Sequence, residues 1–172
     1  PSSTTDGAQY NVAVGTTALD AITTGDYNTA VGYDALTKNT EGNFNTASGA
    51  YALRNNTEGT QNTASGRAAL ENNIVGSYNT ASGMFALWKN IEGNQNTASG
   101  RAALKENTSG NYNTATGYNA LYGNIDGDNN TALGSYAGYV ITTGSNNVII
   151  GKDADPSANN ASNQIAIGQG VT

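Results

Sequence analysis

Four carboxylates stand at fixed intervals: Glu41 and Glu58 are 17 residues apart, and Glu92 and Asp126 follow at steps of 34. Paired carboxylates can cleave a glycosidic bond, one as the acid and the other as base or nucleophile, or hold calcium through their oxygens. Two aromatic groups also stand out. Met84, Phe85 and Trp88 fall within five residues, and Tyr118, Tyr122, Tyr136 and Tyr139 within 22. Exposed rings in such groups stack on the apolar faces of sugars. Each set has a plainer alternative. The carboxylates suit a solvated edge repeated by the sequence. Met84 and Trp88 are four apart, so a helix would put them on one face, packed against a neighbouring chain. The tyrosines suit a seam between chains.

The 172 residues contain no histidine and no cysteine. That excludes a serine–histidine triad, an imidazole or thiolate metal site and a disulfide framework. No calcium-loop motif accompanies the acids, and neither metal nor cofactor is expected. Seven basic against thirteen acidic residues give a net charge of −6, which argues against a nucleic-acid partner. No apolar run approaches the roughly 18 residues that span a bilayer. The four N-x-S/T triplets, at Asn55, Asn107, Asn129 and Asn160, are what so much asparagine and threonine yields by chance.

Those residues are positioned by a repeat. Glycine recurs every 17 residues from Gly15 to Gly168, ten times in register, and a second series runs from Gly25 to Gly144. The unit reads N-T-A-x-G-x-x-A-L-x-x-N-x-x-G-x-x, as in Asn28-Thr29-Ala30-Val31-Gly32, Ala35-Leu36, Asn39 and Gly42. Positions are counted below from its opening asparagine. A period without insertions means a solenoid of ten coils, with like residues stacked at the strand spacing of roughly 4.8 Å. Stacked asparagines can bond to one another up such a rod.

Within a coil, N-T-A-x-G reads as a short strand with alternating faces. The x-x-A-L-x-x segment, as in Arg67-Ala68-Ala69-Leu70-Glu71, reads as one or two helical turns, with a continuous β-solenoid as the alternative. Asn39 and Asn73 would then mark helix exits. The fold class is a repeat solenoid, mainly β with short helical turns. The inward candidates are two alanines, a leucine and a threonine or isoleucine per coil. That is a small core for 17 ordered residues, so further burial in a parallel homotrimeric fibre is expected. Trp88 at position ten is expected to face outward, because Asp20, Thr37, Arg54, Glu71, Lys105 and Tyr122 occupy the same position.

The repeat resembles the shafts of bacteriophage tail fibres and related trimeric adhesive fibres of bacteria, over roughly Tyr10 to Asn146. Asn147-Val148-Ile149-Ile150-Gly151 and Gln164-Ile165-Ala166-Ile167-Gly168 are similar to head repeats of trimeric autotransporter adhesins. The resemblance implies a parallel homotrimer, extracellular, on a virion tail fibre or a bacterial cell surface, with no catalytic residue and no membrane insertion. It divides the chain into a lead-in (1–10), a shaft of eight coils (11–146) and divergent coils (147–172) leading toward a further domain. Gly138 and Asp155 replace the leucine, Pro156 follows Asp155, and Ala161 replaces a corner glycine, so coil nine is expected to be looser.

The expected function is a non-enzymatic structural and adhesive segment, presenting a receptor-binding tip to a host or prey cell. Its partners would be other copies of itself and a glycan or protein receptor, met by Met84, Phe85, Trp88, Tyr118, Tyr122, Tyr136 and Tyr139. An ice-binding solenoid is the first alternative, because Thr29 to Thr131 form an unbroken rank of seven. Val12, Val148 and Ile165 share that position and point instead to a buried face. A fibre-borne polysaccharide-degrading enzyme is the second alternative.

Overall fold

The computed structural model describes residues 7–170. Residues 1–6 of the lead-in, and Val171 and Thr172, lie outside the described residues. One parallel ten-stranded sheet runs through the described residues in sequence order. Its strands are β1 (Val12–Val14), β2 (Thr29–Val31), β3 (Thr46–Ser48), β4 (Thr63–Ser65), β5 (Thr80–Ser82), β6 (Thr97–Ser99), β7 (Thr114–Thr116), β8 (Thr131–Leu133), β9 (Val148–Ile150) and β10 (Ile165–Ile167). Each pairs with the next at a shift of 17, so Thr63 lies beside Thr80 and Ala64 beside Ala81. The chain is a parallel β-solenoid with one strand per coil.

The middle residue of each strand points into the coil and its neighbours point out. Ala47, Ala64, Ala81, Ala98 and Ala115 are fully buried, while the threonines and serines on either side are exposed. The alanine of position eight and the leucine of position nine complete the apolar columns, as Ala69 and Leu70 do in coil four.

The expected helical turns are absent: no helix occurs among the described residues. In x-x-A-L-x-x every second residue takes a positive φ, as at Asp34 (54°) and Leu36 (51°). All seven leucines from Leu19 to Leu121 have φ between 48° and 54°. Left-handed backbone costs a leucine on the order of 1–2 kcal/mol, and the alternation turns successive peptide groups toward opposite neighbours. Asp34 N–H donates to Thr16 in the coil before, at 3.1 Å, and Leu36 N–H to Ala52 in the coil after, at 3.0 Å. A helix would have spent those donors within the segment. Stacking coils offer partners above and below, and this wins over propensity in so short a stretch.

The fourth core component is in most coils neither threonine nor isoleucine, with Ile141 and Ile149 the buried exceptions. Asparagine fills the space at positions one and twelve, and among the described residues sixteen polar side chains, nearly all of them asparagine, are buried. Asn45 Oδ1 accepts the backbone N–H of Asn62, one coil on, at 2.9 Å, and Asn45 Nδ2 donates to the Gly59 carbonyl at 2.8 Å. At position twelve the amides bond directly. Asn73 Nδ2 donates to Asn56 Oδ1 at 2.7 Å and to Gly76 O at 2.8 Å, and the ladder continues from Asn39 to Asn124. Asn39 and Asn73 are therefore buried rungs, not helix exits.

The two glycine series serve the same stacking. Gly66 has φ +133°, and a Cβ on it would lie 2.8 Å from the Gly83 carbonyl carbon. Gly76 has no such φ, yet its Cβ would lie 2.5 Å from the Gly93 oxygen. Close approach between coils, not left-handed backbone, fixes the second series.

Coils eight and nine keep the register while changing the filling. Gly138 replaces leucine where Ile141 and Ile149 occupy the space: a Cβ there would meet Leu121 Cδ2 at 2.8 Å and Ile149 Cδ1 at 3.2 Å. Ile165 still pairs with Val148 across coil nine. The position-twelve ladder stops at Asn124, in coil seven: buried Ile141 takes its place in coil eight and exposed Ala158 in coil nine.

Three outcomes follow. Asn73→Ala removes two rungs and strands Asn56 Oδ1 in the core, so it should lower unfolding free energy by roughly 2–5 kcal/mol in urea titration. Ala69→Leu should overpack its column, at a cost of about 1–3 kcal/mol. Asp155, half-buried where leucine is expected, has its carboxyl pushed up by burial, against the backbone N–H groups of Val140 and Tyr139. A raised native value means its contribution is full below the ordinary 3.8 and is lost as pH rises through the folded value. Asp155→Asn should therefore raise Tm at pH 7 and leave it unchanged at pH 3.

Candidate functional site

With framework positions spent on stacking, chemistry is left to positions six, seven, ten, eleven, fourteen, sixteen and seventeen. The positive-φ alternation sends side chains of positions seven and ten to one groove, three residues apart. Trp88 packs edge-on against Phe85, with centroids 6.3 Å apart. The expected pairing of Met84 with Trp88 on a helical face does not hold, because the segment is not helical. Met84 lies outside the groove that Phe85 and Trp88 line.

Trp88 is half-buried rather than freely outward. Its indole Nε1–H donates to Glu71 Oε2 at 2.8 Å. Lys105 Nζ sits 5.3 Å from its ring centroid and Lys89 Nζ 5.9 Å. Lys89 and Lys105 share Glu106 as an ion-pair partner. Lys105 also donates to the Tyr122 hydroxyl at 3.0 Å, and this bond above all holds its ammonium pKa above the ordinary 10.5.

The four tyrosines form one contiguous cluster. Tyr118 meets Tyr136 edge-on at 5.2 Å, Tyr136 meets Tyr139 at 5.5 Å, and Tyr122 stacks on Tyr139 at 5.3 Å. The hydrogen bond with Tyr118 chiefly holds the Tyr136 phenol above its usual range. Arg101 lies over the Tyr118 ring at 5.4 Å and bonds its hydroxyl at 3.0 Å. A groove of about 380 Å³ runs between Phe85 and Trp88 on one side and Tyr122 and Tyr139 on the other, with Arg101 and Lys105 at its walls.

Glu41, Glu58, Glu92 and Asp126 are all exposed, and none lines that groove. Glu92 and Asp126 instead line a separate, open depression with Asp128. Among the described residues no group of three or more acids is gathered as a metal site.

Three features escaped the sequence reading. All seven lysines and arginines stand at positions six, ten and eleven, whereas from Asp26 to Asp128 positions thirteen to seventeen carry six acids and no base. The bases are thus confined to one edge, where Asp20, Asp34, Glu71, Glu106 and Asp153 accompany them, and the other edge is acidic. Second, Tyr10, Tyr27 and Phe44 at position seventeen form an exposed stack, with centroids 4.7 and 5.0 Å apart and planes 12° and 3° from parallel. Third, Asn119 Oδ1 is the one buried side-chain polar atom without a hydrogen-bond partner among the described residues. The seventeen-residue spacing was signal enough for the first two features; nothing in the sequence marked the third.

Trp88→Ala should cost roughly 1–2 kcal/mol in urea titration, since the ring is half-buried against Phe85 and its Nε1–H bond to Glu71 is lost. An unchanged midpoint would mean that Phe85, Lys105 and Glu71 do not hold it.

A comparison with protein families, curated proteins and solved structures finds no match to this chain, so its function is read from its own residues.

Proposed function

We propose that the chain is a non-enzymatic structural and adhesive segment of a parallel homotrimeric fibre, carried outside the cell on a virion tail fibre or a bacterial surface, where it presents a receptor-binding tip to a host or prey cell. One observation carries the assembly reading. The strand face, positions two and four, bears no charged residue in any of the ten strands. It ends in outward apolar side chains: Val12, Val14, Val148, Ile165 and Ile167 are 37–74% exposed. Such a face is flat, uncharged and apolar at both ends of the rod. A second and third copy, related by rotation about an axis parallel to the rod, would cover it. The hydroxyl-bearing middle coils allow close approach there, and the variable edges stay outside.

An ice-binding reading uses the same face. The valines and isoleucines at the same position predict a threonine rank inside the coil. In the folded chain it lies outside, and Thr46, Thr63, Thr80, Thr97 and Thr114 form an exposed row. Regular hydroxyl rows can order water. The two readings exclude each other, because a face packed against its copies cannot meet ice.

Sedimentation equilibrium should give three times the 17.5 kDa chain mass, with no thermal hysteresis at micromolar protein. A folded monomer that shows hysteresis would overturn the fibre reading in favour of the ice-binding one.

A further inference from the structure

We infer that the groove between Phe85, Trp88, Tyr122 and Tyr139 binds an acidic saccharide, with rings lying on the aromatic walls and the ligand's carboxylate or sulfate held by Arg101 and Lys105. The inference extends the adhesive reading above by naming the ligand class, but the groove itself lies within a single chain. No residue of positions two and four lines it, so assembly through the strand face leaves it open.

Three observations converge. The first is shape and surface. The volume of about 380 Å³ accommodates one or two sugar rings, and its walls are the faces and edges of four aromatic side chains. Trp88 and Phe85 meet edge-on, and Tyr122 and Tyr139 stack with planes 27° apart. Lys105 Nζ lies over both Trp88 and Tyr122, 5.3 and 5.0 Å from their ring centroids, so a pyranose would meet the remaining aromatic surface beside the ammonium that holds its anion.

The second is charge. The chain is acidic overall, at −6, yet Arg101 and Lys105 project at this groove. Arg101 has no carboxylate within ion-pair distance among the described residues. Its one side-chain partner is the Tyr118 hydroxyl, which leaves most of its guanidinium donors free. A guanidinium presents a planar pair of donors that fits a carboxylate or sulfate bidentately. Lys105 is bonded to Tyr122 and shares Glu106 with Lys89, so it is held in place while keeping its charge.

The third is an unmet hydrogen bond. Asn119 lines the groove, is 9% exposed, and its Oδ1 has no partner. A buried carbonyl oxygen left unpaired is costly. Turning the amide about its Cβ–Cγ bond, away from Tyr136, would present this acceptor to a ligand hydroxyl, the donor that sugars carry in excess. Aromatic walls alone fit any flat apolar molecule; the free guanidinium and the unpaired acceptor select a ligand with both an anion and hydroxyl donors.

Trp88 is the sole tryptophan and lies in the groove, so its fluorescence reports occupancy directly. The full 172-residue protein is titrated with tetragalacturonic acid, a heparin tetrasaccharide and neutral maltotetraose, with the oligomeric state of each sample measured in parallel. At least one acidic tetrasaccharide should give a saturable change, with a Kd at least tenfold below that of maltotetraose. The two acidic probes separate carboxylate from sulfate recognition. Arg101→Ala, at an exposed position, and Asn119→Gly, which suits the positive φ there, should each weaken acidic binding at least fivefold without altering the far-ultraviolet spectrum. Silence of Trp88 toward all three probes, or equal affinity for maltotetraose, would overturn the proposal. A trimer with a silent Trp88 refutes the groove and leaves the fibre; a monomer that binds does the reverse.

Discussion

The structure depends on amides that must find their partners one coil away. Asn45 Oδ1 accepts the backbone N–H of Asn62, Asn56 Oδ1 accepts a hydrogen bond from Asn73 Nδ2, and Gly76 O accepts from both Asn62 and Asn73. These groups are out of reach of water, so each broken rung leaves a polar atom unpaired at a cost of about 1–3 kcal/mol. An inserted or deleted residue would break every bond at that level. The unvarying 17-residue period follows from this. So do the glycines: coils close enough for amide-to-amide bonds leave no room for a Cβ where backbone faces backbone.

The same constraint explains what the sequence did and did not disclose. The period, a short strand within N-T-A-x-G and the inward alanine were legible, because each depends on spacing alone. The outward position of the threonines was misread. Val12 and Ile165 look like core residues by type, but in a one-strand coil the strand's flanking residues face away from the interior whatever their polarity. The helical turn failed for a different reason. Arg67-Ala68-Ala69-Leu70-Glu71 has good helix propensity, yet propensity differences within such a stretch amount to a few tenths of a kcal/mol per residue. Hydrogen bonds to coils above and below outweigh them, even with leucine in the left-handed region.

The separation of framework from variable positions shapes the candidate site. Stacking uses positions one, three, five, eight, nine, twelve and fifteen, so side chains elsewhere can change without disturbing the ladder. Like positions lie one coil apart, and a surface patch is therefore written by residues 17 apart in sequence. Trp88, Lys105, Tyr122 and Tyr139 all stand at position ten, and the groove spans their successive coils. The rings were legible as a group for that reason. Arg101 and Asn119 were not, because a free guanidinium and an unpaired amide oxygen are properties of neighbours in space.

Hydrogen exchange at the rung amides tests the central claim most directly. The backbone N–H groups of Asn62, Asn79 and Asn96 donate to the side-chain oxygen of the asparagine one coil earlier, at 2.9 Å. If buried amides hold the coils together, these protons should exchange as slowly as the strand amides of Thr63 and Thr80, through one cooperative opening of the rod. Rung amides that exchange freely while the strand amides stay protected would show that the sheet alone carries the fold.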